Sequence, residues 1–246
     1  ATREHVEHIA RTLGYLPNAS ARTLRTQRSR VLSVVLPTLT NHVFAECLEG
    51  IAQAAVAGGY AISPFTTDYR LDQEDRAVNL LLAGNVDGMI LVVSNPATST
   101  ALQRLAEVGL PYVLAYNHHP DHPCVSVNSE LAVADVVPHL ATLGHRRIAM
   151  VSGLLSASDR AQQRCRGYAR GMEQAGLRAQ PVLQVPFVAA APEVLGEALN
   201  SPDRPTALVC SNDLLAIRSI RAAHLAGLAV PRDLSVVGFD CIALGQ

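Results

Sequence analysis

The feature that most constrains the fold is the alternation of short apolar segments with longer amphipathic ones from residue 31 onwards. Apolar runs such as Val31–Leu36 and Gly88–Val93 have the length of strands, and they lack the polar alternation of a sheet with one face in water. The segments between them have helical periodicity. This order predicts βαβ units, and about six units in each half favour two Rossmann-like lobes over one sheet.

The predicted elements follow one another regularly along the chain. Strands are predicted at Val31–Leu36, Tyr60–Phe65, Gly88–Val93, Tyr112–Tyr116, Ile148–Ser152, 182–186, Ala207–Cys210 and Ser235–Phe239. Helices are predicted at 2–13, Ala19 to Arg25, Phe44–Ala57, Gln73–Ala83, 98–108, 129–143, 159–175, 191–200 and 213–226.

The composition excludes several classes of protein. With 246 residues, of which 49% are hydrophobic, the chain can bury a sizeable core and does not resemble a disordered protein. Its longest apolar runs, such as Met89–Val93, are far shorter than the roughly 20 residues of a membrane span. The polar start at Ala1–His5 is unlike a secretion signal, and five cysteines without a CxxC pair favour a reduced, cytosolic compartment.

The net charge of −1 conceals a strong asymmetry. Residues 1–30 carry six arginines and two glutamates, which gives +4. Residues 31–246 carry 14 basic and 19 acidic residues, which gives −5. The basic segment is typical of a nucleic-acid-binding head, although charge alone fits a solvated extension equally well.

The pattern within this head favours contact with DNA. A first helix ends at Gly14, and Asn18 can cap a second helix that is too short to be stable alone. Leu24 is an apolar side chain flanked by Arg22 and Arg25. Proteins that bind the minor groove use this arrangement, in which an apolar wedge unstacks a base step while basic residues neutralise phosphates.

Leu13–Asn18 (LGYLPN) and Ala21–Leu24 (ARTL) resemble the head of the lac/galactose repressor (LacI-type) family. The resemblance implies the third helix of a helix-turn-helix headpiece, followed by a hinge helix whose Leu24 intercalates in the operator. It also implies that Tyr15, Asn18, Ala21 and Arg22 lie along the same DNA surface. The first two headpiece helices are absent from this sequence, so we expect that the segment alone cannot read a major groove.

The resemblance extends to the body of the chain and implies effector contacts from the first lobe. Phe44 ends a segment similar to the family's P-x-x-x-N-x-x-F loop, and it either stacks on a ligand ring or is a core aromatic residue. Asp68 follows a predicted strand and either accepts hydrogen bonds from ligand hydroxyls or caps the next helix. Asn117 stands near a position that is often acidic in the family.

Three further motifs imply contacts from the second lobe. Arg164 matches the effector-gripping arginine of an R-x-x-G-[FYW] motif, with Arg160 as a weaker candidate and a solvated surface role as the alternative. Asn212 belongs to a segment similar to NDxxAxG, in which Arg218 replaces the usual glycine and the next residue is expected to cap the helix. Asp240 ends a GxD segment and would accept hydrogen bonds from ligand hydroxyls.

Together these motifs imply a homodimeric repressor that binds operator DNA and, in a cleft between its lobes, a sugar or sugar acid, without a cofactor. The gluconate-repressor branch is the most similar in three places, which are Asn41–Phe44, Thr67–Tyr69, and Asp159–Arg160 with Arg164. A neutral sugar or a purine remains an alternative effector. A solute-binding protein of a transporter would share the fold, but it would need a secretion signal and no basic hinge helix.

The sequence offers no support for catalysis or for a metal site. It contains no GxSxG, Walker or HExxH motif and no paired carboxylates of the kind used in acid–base chemistry. His118, His119 and His122 are close in sequence, but they lie in a proline-rich loop without the spacing of metal ligands. The chain is therefore not expected to be an enzyme.

The resemblance also suggests boundaries for the domains. Residues 1–30 would form the partial head and hinge helix, residues 31–128 the first effector-binding lobe, and residues 129–246 the second. The family returns to the first lobe after the strand that ends in GFD. That return is missing here, so we expect the sheet of the first lobe to be incomplete.

Overall fold

The computed structural model describes residues 2–14, 23, 25–26, 28–187 and 192–243. The strands are β1 (Val31–Leu36), β2 (Ala61–Thr66), β3 (Gly88–Leu91), β4 (Tyr112–Ala115), β5 (Cys124–Val125), β6 (Ile148–Ser152), β7 (Leu183–Gln184), β8 (Ala207–Cys210) and β9 (Ser235–Val237). The α-helices are α1 (Thr2–Thr12), α2 (His42–Ala57), α3 (Leu71–Ala83), α4 (Thr100–Val108), α5 (Ser129–Thr142), α6 (Asp159–Gln174), α7 (Pro192–Asn200) and α8 (Asp213–Leu225).

The strands form two parallel sheets, as the alternating pattern predicts. The first has the order β2-β1-β3-β4-β5, and the second has the order β7-β6-β8-β9. In each sheet the chain first adds a strand on one side of its starting strand and then crosses to the other side. This produces a topological switch point beside β1 and another beside β6, and ligands of open α/β sheets bind at such points.

Both faces of each sheet are buried. Val34 and Val35, which are neighbours on β1, belong to different apolar clusters on opposite faces and are 0% and 1% exposed. Leu208 and Val209 on β8 show the same division in the second sheet. Because the central strands bury both faces, most of their residues are apolar, and this property made them predictable.

Several element ends differ from the predicted ones for local reasons. Helix α2 begins two residues early because the Asn41 side chain accepts a hydrogen bond from the Val43 amide and caps it. Strand β3 ends at Leu91, before the predicted Val93, whose amide donates to the Asn117 side chain. The two-residue strand β5 was not predicted, because it is too short to show a pattern.

Helix α1 agrees with the prediction within one residue, and its Val6 and Ile9 are exposed. The predicted hinge helix is only partly within the described residues. The proposed DNA contacts Tyr15, Asn18, Ala21, Arg22 and Leu24 all lie outside the described residues. Among the helices that the structure describes, none combines the length and the apolar character needed to cross a membrane.

Two glycines allow α5 and α6 to pack closely. A Cβ atom at Gly167 would lie 2.3 Å from the Glu130 carbonyl oxygen, and one at Gly171 would lie 2.7 Å from the Cβ of Val137. Both distances are shorter than real Cβ contacts. The glycine of the R-x-x-G-[FYW] motif therefore serves helix packing, and this packing positions the N-terminal turns of α6.

We expect Gly167→Ala to lower the free energy of unfolding by about 1–3 kcal/mol, because the methyl group meets backbone that must move. Urea denaturation followed by circular dichroism measures the effect. Gly50→Ala is the matched control, since Gly50 lies within α2 and an added Cβ would meet nothing within 4 Å. That variant should be neutral or up to about 1 kcal/mol more stable. Equal stability of both variants would contradict the packing argument.

Candidate functional site

A narrow cleft with a cavity volume of about 30 Å³ lies where the carboxyl ends of the two sheets face each other, and it opens to solvent. Side chains from both lobes line it. Those of the first lobe are Asn41, Val43, Phe44, Tyr69 and Tyr116. Those of the second lobe are Ser158, Arg160, Ala161, Arg164, Phe187, Ser211, Asn212 and Asp240.

Arg164 is the central cation of the cleft and is 8% exposed. Its guanidinium donates to the Ser211 carbonyl oxygen and, at 3.4 Å, to Oδ1 of Asp240. The Phe239 ring lies against it, with the guanidinium carbon 3.7 Å from the ring centroid. Burial lowers the pKa of Arg164, and the Asp240 carboxylate opposes that effect.

Two buried polar atoms of the cleft residues have no hydrogen-bond partner among the described residues. They are Nε of Arg164 and Oγ of Ser211. An unsatisfied buried polar group costs about 1–3 kcal/mol. A ligand with hydroxyl or carboxylate oxygens could remove this cost, so the two atoms indicate where a polar ligand would be recognised.

Asp240 faces Arg164 from the end of the second sheet. Burial is the main cause that raises the pKa of its carboxyl group to about 6, and the nearby Asp213 raises it further. Arg164 and a hydrogen bond with Asn41 act in the opposite direction. Asp240 also has a φ of 108°, a backbone conformation that non-glycine residues rarely adopt, so the surrounding contacts hold it in an unfavourable geometry.

The strand end that carries Asp240 is tied to α8 by Asp213. The Asp213 amide donates to the Phe239 carbonyl oxygen at 2.9 Å, and its carboxylate accepts from the Ile242 amide at 2.8 Å. A Cβ at Gly238 would lie 2.0 Å from Oδ1 of Asp213, so a side chain here would displace the Asp213 carboxylate. The prediction that Asp213 caps α8 was wrong. Asn212 is the cap, and its side-chain oxygen accepts from the Leu215 amide at 2.8 Å.

A buried polar network joins the lobes beneath the cleft. Arg160 donates to the Val93 carbonyl oxygen and to Asp159, both at 3.1 Å. Asn117 donates to the same carbonyl oxygen at 2.9 Å and to Asp159 at 2.6 Å. The Asp159 amide in turn donates to the Ser94 carbonyl oxygen at 2.7 Å. Burial raises the pKa of Asp159, although Arg160 counteracts this.

The structure brings five of the seven predicted effector-binding residues to the cleft. They are Phe44, Arg160, Arg164, Asn212 and Asp240. Asn117 does not line it, because the side chain is fully buried and both of its polar atoms bond to the Val93 backbone. Asn117 instead joins the two lobes, because its side chain also donates to Asp159.

Asp68 also lies away from the cleft lining, and its side chain is exposed. Asp68 and Tyr69 have φ values of 50° and 59°, so the chain turns sharply after β2 and directs Tyr69 into the cleft in place of Asp68. The alternative prediction, that Asp68 caps the next helix, was wrong. Arg70 occupies the N-cap position of α3, and its side chain makes no capping hydrogen bond.

Three aromatic residues of the cleft were missed as site residues. Tyr116 and Phe44 form a T-shaped pair with ring centroids 5.5 Å apart, and the Tyr116 hydroxyl donates to the Val43 carbonyl oxygen. Tyr69 and Phe187 stack on each other. All three residues follow a strand, and this position could have predicted them. The family motifs favoured their polar neighbours instead.

Two histidines of the loop at residues 118–122 contact neighbouring side chains. Nδ1 of His122 lies 2.6 Å from the Tyr112 hydroxyl, and Nδ1 of His118 lies 3.7 Å from the Cys124 sulfur. Within the described residues, no three His, Cys, Asp or Glu side chains are placed to hold a metal ion.

Comparison with known proteins identifies the family. The model described as "Periplasmic binding proteins and sugar binding domain of LacI family" matches residues 29–244. The chain belongs to the LacI family. The predicted membership of this family is therefore confirmed, as is the α/β fold with two parallel sheets.

Relatives of this LacI-family chain are transcriptional regulators. The chain is 30% identical over 251 residues to the HTH-type transcriptional repressor CytR of Escherichia coli, which covers all of this chain and 73% of CytR. It is 31% identical over 245 residues to catabolite control protein A of Priestia megaterium, covering 98% and 74%. These relatives are not enzymes, in agreement with the lack of catalytic motifs.

A solved structure supports the same conclusion. The lac repressor dimer bound to operator and the anti-inducer ONPF is similar with a TM-score of 0.86 and 26% identity. The similarity covers 98% of this chain and 74% of that one. A transcription regulator GntR from Chromobacterium violaceum is similar with a TM-score of 0.72 and 28% identity, covering 85% and 78%.

The carboxyl group of Asp240 should make stability depend on pH. Its folded-state pKa of about 6 exceeds the ordinary value of 3.8, so the folded chain binds a proton there that the unfolded chain lacks. Its contribution is favourable at low pH and is lost as the pH rises through 6. Relative to Asp240→Asn, the native chain should lose on the order of 2 kcal/mol between about pH 4 and pH 7.

Urea denaturation across this pH range measures the difference. Asp233→Asn is the matched control, because hydrogen bonds from Arg232 and the Ala229 amide lower the pKa of Asp233 to about 2, outside the range. If native protein and Asp240→Asn show parallel pH profiles, the carboxyl group is not held in the environment described.

Proposed function

We propose that this chain is part of an effector-responsive transcriptional repressor that binds a small sugar or sugar acid between its lobes. The observation that carries the proposal is the buried Arg164, whose Nε has no hydrogen-bond partner among the described residues and whose guanidinium faces Asp240. A donor and an acceptor held side by side suit vicinal hydroxyl groups, which both accept and donate hydrogen bonds. Phe44 belongs to the apolar cluster that packs on β1 and also lines the cleft, where it would contact the apolar side of a sugar ring.

The two arginines of the cleft are each paired with an aspartate of the second lobe. Arg160 pairs with Asp159 and Arg164 pairs with Asp240, so each cation already has an internal anion. A neutral sugar would use both members of the second pair. A sugar acid would compete with Asp240 for the guanidinium.

The regulatory half of the proposal rests on the basic head. Tyr15, Asn18, Ala21, Arg22 and Leu24 would contact operator DNA in a homodimer, in the cytoplasm where that DNA lies. Residues 1–30 would form the head, and residues 31–128 and 129–246 the two lobes. The short hinge helix forms only against a partner surface, so a change in lobe geometry can order or melt it.

Asp87 ties the end of the head to the first lobe. Its carboxylate accepts hydrogen bonds from the Ser29 amide at 2.7 Å, the Ser29 hydroxyl at 2.8 Å and the Arg30 amide at 3.1 Å. Burial alone would raise the pKa of Asp87, but these hydrogen bonds outweigh it, and the pKa is lowered. The carboxylate is therefore ionised near neutral pH and can transmit lobe movements to the head.

Thermal-shift screening against sugars, sugar acids and nucleobases tests the effector site. A ligand at a hundredfold excess over its Kd should stabilise the native protein by about 2.7 kcal/mol. Arg164→Ala should abolish the shift, because it removes the guanidinium that would bind the effector. Arg170→Ala is the control, since Arg170 is exposed on the same helix α6 and should leave the shift unchanged. A full shift in Arg164→Ala would refute the role of Arg164.

A gel-shift experiment tests the link between lobe and head. It uses full-length protein with its complete DNA-binding head and a DNA fragment selected by the native protein from random sequence. Asp87→Ala should weaken binding about tenfold, because the hinge segment loses its anchor, while phosphate contacts keep some affinity. Asp121→Ala, at an exposed aspartate of the same lobe, should bind normally. Absence of DNA binding by the native protein at low salt would refute the repressor function.

A further inference from the structure

Two aromatic rings join the lobes within the cleft. Tyr69 follows β2 in the first sheet and Phe187 follows β7 in the second, and their ring centroids are 4.4 Å apart with planes inclined by 15°. The rings are therefore stacked face to face. Burial, the main cause, raises the pKa of the Tyr69 hydroxyl to about 12, as expected for a phenol shielded from water.

Phe187 is also supported from behind. A Cβ at Gly153, just after β6, would lie 2.1, 2.2 and 2.3 Å from three carbons at the tip of the Phe187 ring. Such similar distances place this missing atom over the face of the ring, not at its edge. The ring thus rests on the Gly153 backbone, and this close approach is available only to glycine.

Arg218 holds the backbone of the same segment. Its Nη1 atom donates to the Phe187 carbonyl oxygen at 2.8 Å and to the Pro186 carbonyl oxygen at 3.3 Å. Arg218 lies on α8, at the position where the family motif has glycine, and a glycine there could make neither bond. The departure from the family pattern therefore has a structural consequence that reaches the cleft.

We propose that Arg218 is a positioning residue that fixes Phe187 against Tyr69, and that the two rings form a clasp that restricts the entry of small solutes to the cleft. Arg218 fixes the backbone of residues 186–187, and Gly153 limits the ring to one plane. Tyr69 then completes the contact from the opposite lobe. The role of the clasp in regulation rests on the proposed function, because an effector would have to separate the two rings to enter the cleft. The clasp itself can be tested without any effector.

Tryptophan fluorescence provides the test, because the 246-residue sequence contains no tryptophan. Tyr69→Trp keeps an aromatic ring in the stack and introduces a single reporter. Acrylamide is the probe, as a small neutral solute that quenches tryptophan on contact. In the Tyr69→Trp parent we expect weak quenching and blue-shifted emission.

Removing either support should expose the reporter. In the Tyr69→Trp background, Phe187→Leu and Arg218→Ala should each raise the quenching constant about twofold or more and shift the emission to the red, because the stacked face is lost. Arg218→Lys should fall between parent and Arg218→Ala, since an ammonium group can reach one carbonyl oxygen without the fork of a guanidinium. Arg221→Ala, at an exposed arginine of the same helix, should match the parent.

The outcomes separate the parts of the proposal. Unchanged quenching in Arg218→Ala would overturn the positioning role, and unchanged quenching in Phe187→Leu would overturn the clasp. Cooperative thermal melting must be retained for each comparison. Should Phe187→Leu fail to fold, faster amide exchange at Gly153 and Phe187 in Tyr69→Ala supports the clasp, and unchanged exchange refutes it. The thermal-shift screen with Arg164→Ala can fail while these results stand, so failure of the effector site is distinguishable.

Discussion

Burial of both faces of each parallel sheet is the constraint on which the rest of the structure depends. Strands such as β1 and β8 pack apolar side chains against helices on both sides, so they leave little room for polar chemistry along their length. Polar and aromatic side chains therefore collect where strands end. Because each sheet reverses its strand order beside its starting strand, the carboxyl ends open a crevice there. The cleft between the lobes is built from these ends.

Within the cleft, burial of the Arg164 guanidinium determines much of the local architecture. The Ser211 carbonyl oxygen, the Asp240 carboxylate and the Phe239 ring all compensate it. These groups hold their positions because Asp213 ties the end of the second sheet to α8. That tie depends on the absence of a side chain at Gly238. Short motifs that look independent in the sequence are thus parts of one electrostatic arrangement.

Most of the fold and part of the site could be predicted. Phe44, Arg164 and Asp240 line the cleft, and each lies in a motif whose spacing is set by one strand–loop–helix unit. Asp68 does not line the cleft, because two successive residues with positive φ turn the chain and bring its neighbour Tyr69 there instead. Asn117 lies at the expected strand end, but both polar atoms of its side-chain amide form hydrogen bonds with the Val93 backbone. Side-chain direction in a tight turn depends on dihedral angles that residue type alone does not specify.

The sequence by itself determined the two-lobed α/β architecture, the main helix and strand positions and the family, because periodicity, helix caps and motif spacing act over short distances along the chain. Only the tertiary structure decided which strand-end residues meet across the cleft. The stack of Tyr69 on Phe187, the support from Gly153 and the hold of Arg218 join segments far apart in the chain. Such contacts depend on how the two sheets are placed relative to each other. Short sequence patterns do not determine that placement, because they reflect only interactions between residues close together in the chain.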